Sequence, residues 1–127
     1  MFESFWSELL NNTSPCKRYL KHGETLIMCK QKDENILKVI EVISLNPYDA
    51  NRTAKFLCKL ADKYEITITG EANPFIIGPS ITKNDTFVTG MPIEKLLKWY
   101  KYYGFESHLE ENGKYTVIRR ANGHKSC

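Results

Sequence analysis

The chain has 127 residues, 42% of them hydrophobic, which is enough for one domain with a real core and excludes disorder over most of its length. Its 18 basic and 15 acidic side chains leave a formal charge of +3, a smaller surplus than a dedicated nucleic-acid binder carries. No apolar run approaches membrane-spanning length and the first residues lack a charged-then-apolar signal pattern, so a cytoplasmic protein with reduced thiols is expected.

Phe2, Phe5, Trp6, Leu9 and Leu10 recur at helical spacing and predict a first helix, which Asn11-Asn12-Thr13-Ser14-Pro15 breaks. A short second helix is expected through Lys21, ended by Gly23. Glu24 to Lys30 and Asn35 to Leu45 read as two strands joined by the polar turn Gln31-Lys32-Asp33-Glu34. In the second strand Ile36, Val39, Ile40, Val42, Ile43 and Leu45 form a nearly continuous apolar run, the pattern of a central strand buried on both faces. Glu41 interrupts that run, either as a solvent-facing carboxylate or as a group placed for proton transfer.

Asn46-Pro47 ends the strand, and Ala54, Leu57, Leu60, Ala61 and Tyr64 mark one face of a helix over Arg52 to Tyr64. Ile66 to Thr69 is a short strand. Gly70 to Gly90 then forms a loop longer than a compact domain carries without a use for it. The next helix, from Pro92, places Ile93, Leu96, Leu97, Tyr100 and Tyr103 on one face and stops at Gly104. Tyr100 therefore stands one turn before the stop, as a core residue with a polar tip or as a phenol that reaches a cleft. A closing hairpin runs from Phe105 to Glu110 and from Tyr115 to Arg120, with Asn112-Gly113 as a two-residue turn. That register sets Glu106 opposite Arg119 and Glu111 opposite Lys114.

Cys16, Cys29, Cys58 and Cys127 include no C-x-x-C pair, and His22, His108 and His124 are equally scattered. No metal site is expected, and the thiols are read as structural or free. The N-x-T triplets at Asn11, Asn51 and Asn84 are read as chance matches in a protein that is not secreted. The element order predicts an α/β fold, a three-layer sandwich with a mixed, mostly antiparallel central sheet flanked by helices. Residues 1–120 are expected to form one domain, with 121–127 a mobile basic tail.

The order of elements from Asn35 to Arg120, with Leu97-Lys98-Trp99-Tyr100-Lys101-Tyr102-Tyr103-Gly104-Phe105-Glu106, resembles the C-terminal half of a GNAT-superfamily N-acetyltransferase. An aromatic-Tyr-x-x-x-Gly-Phe segment closes the last main helix of that family. The resemblance implies an acetyltransferase-like fold, acetyl-CoA as cofactor and an amine-bearing acceptor. It implies that the strand through Ile43 and Leu45 offers open backbone to the pantetheine arm. Asp49 to Ala54, with Asn51, Arg52, Thr53 and Ala54, would match the pyrophosphate loop, whose backbone N–H groups hold the diphosphate. Tyr100 would match the general acid that protonates the departing thiolate, and Glu41, with Glu71 in reserve, would take the proton of the amine. The loop departs from the family pattern, because Asp49 stands at its first position and Arg52 at its central glycine, and Ala54 alone agrees.

The family opens with a strand where this chain opens with a helix, which implies a truncated or replaced first strand. The sheet edge so exposed would invite a partner strand or a homodimer. Two further readings follow from the residues. The degraded loop suits a catalytically inactive pseudo-acetyltransferase that serves as a binding or inhibitory module. Lys95, Lys98 and Lys101 on one helix, Arg119-Arg120 and His124-Lys125, with Tyr100, Tyr102 and Tyr103 as stacking surfaces, suit nucleic-acid contact.

Overall fold

In the computed structural model, residues 2–44, 47–72, 76–77, 88–89 and 93–121 are described. The helix α1 spans Phe2–Asn11, α2 Pro47–Tyr64 and α3 Ile93–Tyr102. The strands are β1 Ser14–Cys16, β2 Tyr19–His22, β3 Thr25–Asp33, β4 Ile36–Ser44, β5 Thr67–Ala72, β6 Ile76–Ile77, β7 Val88–Thr89, β8 Glu106–Leu109 and β9 Tyr115–Arg119. Seven strands form one mixed, mostly antiparallel sheet in the order β1-β2-β3-β4-β5-β9-β8, in which β4 and β5 alone run parallel. The β6–β7 pair forms a separate ribbon. No described helix is long and apolar enough to cross a membrane.

Burial alternates along the strands and identifies the covered face. Ile27, Leu37, Ile68, Gly70, Ala72 and Val117 are buried, while Glu41, Thr69, Glu71 and Thr116 on the opposite face are exposed or half-buried. Phe5 and Leu9 of α1 and Leu57, Leu60 and Ala61 of α2 pack on that covered face with Leu37, Ile66 and Ile68. Leu96 of α3 joins Ala72 and Val117 beside them. Burying each of the large side chains contributes about 1.5–3 kcal/mol, so this one face supplies most of the hydrophobic stabilisation. The described elements thus form two layers, helices on one side of a sheet, where the sequence suggests three. A strand with helices on one face needs only period-2 alternation, and the apolar run of β4 disguises it because a bulge shifts the alternation partway along.

Both long-range helix stops are backbone devices. After α3, the Gly104 N–H bonds the Lys101 carbonyl and the Phe105 N–H bonds the Tyr100 carbonyl, each at 3.0 Å, with Gly104 at φ 94°. This paired pattern satisfies carbonyls that the helix leaves open. After α2, Glu65 takes the same role at φ 56°, and the Ile66 N–H reaches the Ala61 carbonyl at 2.8 Å.

Several expectations are corrected. The second helix through Lys21 is instead the β1–β2 hairpin, because Tyr19 to His22 pairs with β3 and its ladder outweighs local helical preference. The strands β3 and β4 extend across most of the expected polar turn, and the chain reverses at Glu34 and Asn35. The helix α2 begins at Pro47, five residues before Arg52, with proline in the position where its missing N–H costs nothing. The closing hairpin has a three-residue connection. The Gly113 N–H bonds the Glu110 carbonyl at 3.0 Å, the Glu110 N–H bonds the Lys114 carbonyl at 2.8 Å, and Gly113 has φ 84°. The register therefore shifts by one, Glu106 faces Ile118, and the Glu106 carboxylate pairs with Arg120 at 3.1 Å. The expected tail lies, apart from Ala121, outside the described residues, as does most of the Gly70 to Gly90 loop.

Candidate functional site

The site begins where the two parallel strands part. They pair from Ile36 with Thr67 to Val39 with Gly70 and no further. Beyond that point β4 continues to Ser44 on β3 alone, and β5 continues to Ala72 on β9 alone. Two local features drive the separation. The β3–β4 register slips between Met28 and Cys29, so that Ile40 is an extra residue between Val39 and Glu41 and bends the strand. At Gly70 an added Cβ would lie 2.7 Å from the Val39 carbonyl oxygen, so only glycine lets the strands cross so closely. The side of β4 that faces the gap has no described strand partner after Val39.

A narrow apolar cavity of about 60 Å³ lies on the helix side of this gap, between β4, β5, α2 and α3. Val42, Thr53, Ala54, Leu57 and Cys58 form one wall and Trp99, Tyr100, Tyr103 and Phe105 the other. Adjoining it is a more polar depression of about 190 Å³, which Glu41 and Glu71 line with Ile40 and, from α3, Leu96. Val39, Val42, Glu71 and Tyr100 border both spaces, so the gap between the strands is the wall they share.

Tyr100 reaches this gap because the end of α3 fixes its backbone and its ring packs edge-on against Trp99 and Phe105, at 5.4 and 5.1 Å. Its hydroxyl makes no hydrogen bond with any described residue, and burial holds the phenol above its ordinary range. A protonated hydroxyl over an apolar gap can donate a proton to a developing anion. Glu41 stands on the open face of the sheet, where the Tyr19 hydroxyl donates to its Oε1 at 2.6 Å. That bond raises the Tyr19 phenol and leaves it a hydrogen-bond donor at neutral pH. Glu71, the reserve carboxylate, follows Gly70 directly and meets Glu41 in the same depression.

The residues expected to bind the cofactor divide. Thr53 and Ala54 line the cavity. Ile43 pairs with Leu26 and points to the open face, and Leu45 lies outside the described residues. Asp49 to Ala54 form no loop, because they occupy the first turns of α2. Main-chain N–H groups from Asn51 onward are spent on helical bonds, so any anion would meet only the few residues after Pro47. Asp49 is buried and accepts the Glu24 N–H at 2.7 Å, which ties α2 to the turn before β3. Arg52 extends into solvent and pairs with Asp49 at 3.1 Å. Asn51 faces α3 and accepts hydrogen bonds from Trp99 Nε1 at 2.7 Å and the Tyr103 hydroxyl at 2.8 Å.

Four contributors escape sequence reasoning. His22 lies 2.7 Å through Nδ1 from Thr53 Oγ1 and stacks on Phe56 at 4.7 Å, fastening β2 to α2. Trp99 and Tyr103 wall the cavity, where helical periodicity places Tyr103 on the packing face and leaves Trp99 unassigned. Gly70 carried a usable signal, since a lone glycine after a β-rich run marks a close backbone approach. The free thiols also sort by burial. Cys58 borders the cavity, and burial pushes both it and Cys29 up to about 11, so neither is a thiolate at neutral pH.

No family model, curated protein or solved structure matches this chain.

Proposed function

We propose that the protein is an acetyl-CoA-dependent N-acetyltransferase of the GNAT type, which transfers acetyl to an amine held on the open side of the β4–β5 gap. The observation that carries this reading is the separation of β4 from β5 after Val39 and Gly70, with a Tyr100 hydroxyl that has no hydrogen-bond partner among the described residues. The pantetheine arm would use the free edge of β4 as an added strand, and its thioester would sit at the gap. The amine, deprotonated by Glu41 or Glu71, would attack the thioester carbonyl. The C–S bond breaks as the C–N bond forms, and Tyr100 gives its proton to the sulfur.

Apart from the β6–β7 ribbon between β5 and α3, the order β3-β4-α2-β5-α3-β8-β9, with β9 placed between β5 and β8, supports the acetyltransferase-like arrangement. The described residues contribute two layers to the expected three-layer sandwich. A homodimer through an exposed edge belongs to the same proposal; β1, exposed throughout, and β8 are the two sheet edges.

One observation favours a second reading, a pseudo-acetyltransferase that binds a protein or nucleic acid without catalysis. The start of α2 carries Asp49 and Arg52 and no glycine, so a diphosphate would meet a carboxylate and lack close backbone approach. Lys95, Lys98 and Lys101 are all exposed on α3 and would supply the contact surface.

Calorimetric titration with acetyl-CoA separates the two. Saturable binding, followed by release of free coenzyme A thiol with one of a panel of primary amines, supports catalysis. Tyr100→Phe is then expected to retain binding and to lower turnover by about a hundredfold. Absence of binding at millimolar cofactor sinks the enzyme reading.

A further inference from the structure

The cavity beside the gap is narrow and partly open, and two aromatic side chains that line it are tied to one residue of α2. Trp99 of α3 and Tyr103, the residue just after that helix, line it four residues apart, and their rings meet edge-on at 5.2 Å. Both polar tips turn to one acceptor, Oδ1 of Asn51, at 2.7 and 2.8 Å. The backbone behind them is anchored separately, because Arg119 Nε donates to the Tyr103 carbonyl at 2.6 Å and its guanidinium grips Asp62 of α2. The main chain near Tyr103 is therefore held, and the two polar tips share one exposed carboxamide, with the Asn51 carbonyl a weaker second acceptor for the Tyr103 hydroxyl at 3.5 Å.

We propose that Trp99 and Tyr103 form a side-chain gate over the α2–α3 cleft, latched shut by Asn51. A ligand that enters past α3 does so after both hydrogen bonds release and the rings rotate outward. The identity of that ligand as an acyl-CoA rests on the function proposed above; the latch does not. Two exposed hydrogen bonds to one carboxamide would slow opening by roughly five- to thirtyfold.

The test uses Trp6→Phe as background, so that all tryptophan emission comes from Trp99. Neutral acrylamide reports exposure of that ring without ligand, and stopped-flow mixing with acetyl-CoA reports the rate of admission. Asn51→Ala is expected to raise the quenching constant and to speed admission by roughly five- to thirtyfold. Asn51→Asp keeps the acceptor Oδ1, replaces the amide nitrogen by a second acceptor oxygen and adds charge, so its quenching should fall to or below that of the background protein. Circular dichroism checks that each variant folds, and Tyr103→Phe, which removes one of the two bonds, repeats the quenching test should Asn51→Ala unfold. Unchanged quenching in a folded Asn51→Ala or Tyr103→Phe protein overturns the gate. Failure of acetyl-CoA to bind removes only the function proposed above, because the quenching measurement needs no ligand.

Discussion

At His22 one side chain joins two elements and carries a titration with a defined sign. Burial, and then the nearby Arg52 charge, hold the imidazole below its ordinary value of 6.5. The unfolded chain therefore takes up this proton first as pH falls. Stability contributed by neutral His22 is full above its ordinary value and is lost as pH drops through the folded one. The urea midpoint of the wild type should fall between about pH 7 and about pH 5, and His22→Gln should flatten that slope. An identical slope in the variant would assign the titration elsewhere. Tyr100 shows a different kind of residue-scale fact. Its place on the apolar face of α3 follows from spacing, yet spacing cannot say whether its hydroxyl meets a partner. That depends on β4 and β5 having parted beneath it.

Among elements, β4 decides most. Its apolar run reads as a strand buried on both faces, but the bulge at Ile40 switches which face each later residue presents. Val39 and Val42 therefore share the helix side, and Glu41 turns to the open side. Glu41 interrupts the run for that reason, and a sequence pattern blind to bulges cannot separate the two readings. Gly70 is the complementary feature on β5. Gly70→Ala would drive a Cβ into the Val39 carbonyl, and because that neighbour is backbone the strands themselves must shift. Chemical denaturation should show a loss of about 1–3 kcal/mol, and any ligand binding at the gap should weaken with it. A fully stable Gly70→Ala protein would mean that the crossing is looser than its geometry indicates.

The whole molecule is tied together at Arg119. From β9 it reaches Asp62 on α2 through two parallel bonds of 2.9 Å and the chain end of α3 through a third. Its side chain is only 4% exposed, so removing its charge takes a desolvated, bidentate partner from the Asp62 carboxylate. Arg119→Met is expected to cost about 3 kcal/mol in urea unfolding, and adding Asp62→Leu should recover part of it. No recovery in the double variant would point to the Tyr103 carbonyl as the more important partner. The sequence placed Arg119 opposite Glu106, one residue out of register, because Asn112-Gly113 resembles a two-residue turn. The three-residue connection with Gly113 at positive φ sends Arg119 inward instead of outward.

The amino-acid pattern by itself determined the long amphipathic helices, the central apolar strands, the glycine stop after α3 and the place of Tyr100 one turn before that stop. All of these rest on local spacing, which backbone geometry converts directly into faces and ends. Tertiary structure alone decided that β4 and β5 separate after Gly70 and that Asp49 to Ala54 are helix. It also decided that Glu41 and Glu71 share one depression and that Asn51 bridges to Trp99 and Tyr103. Each of those facts depends on how residues far apart in the chain are paired or packed, and neither pairing nor packing has a local period.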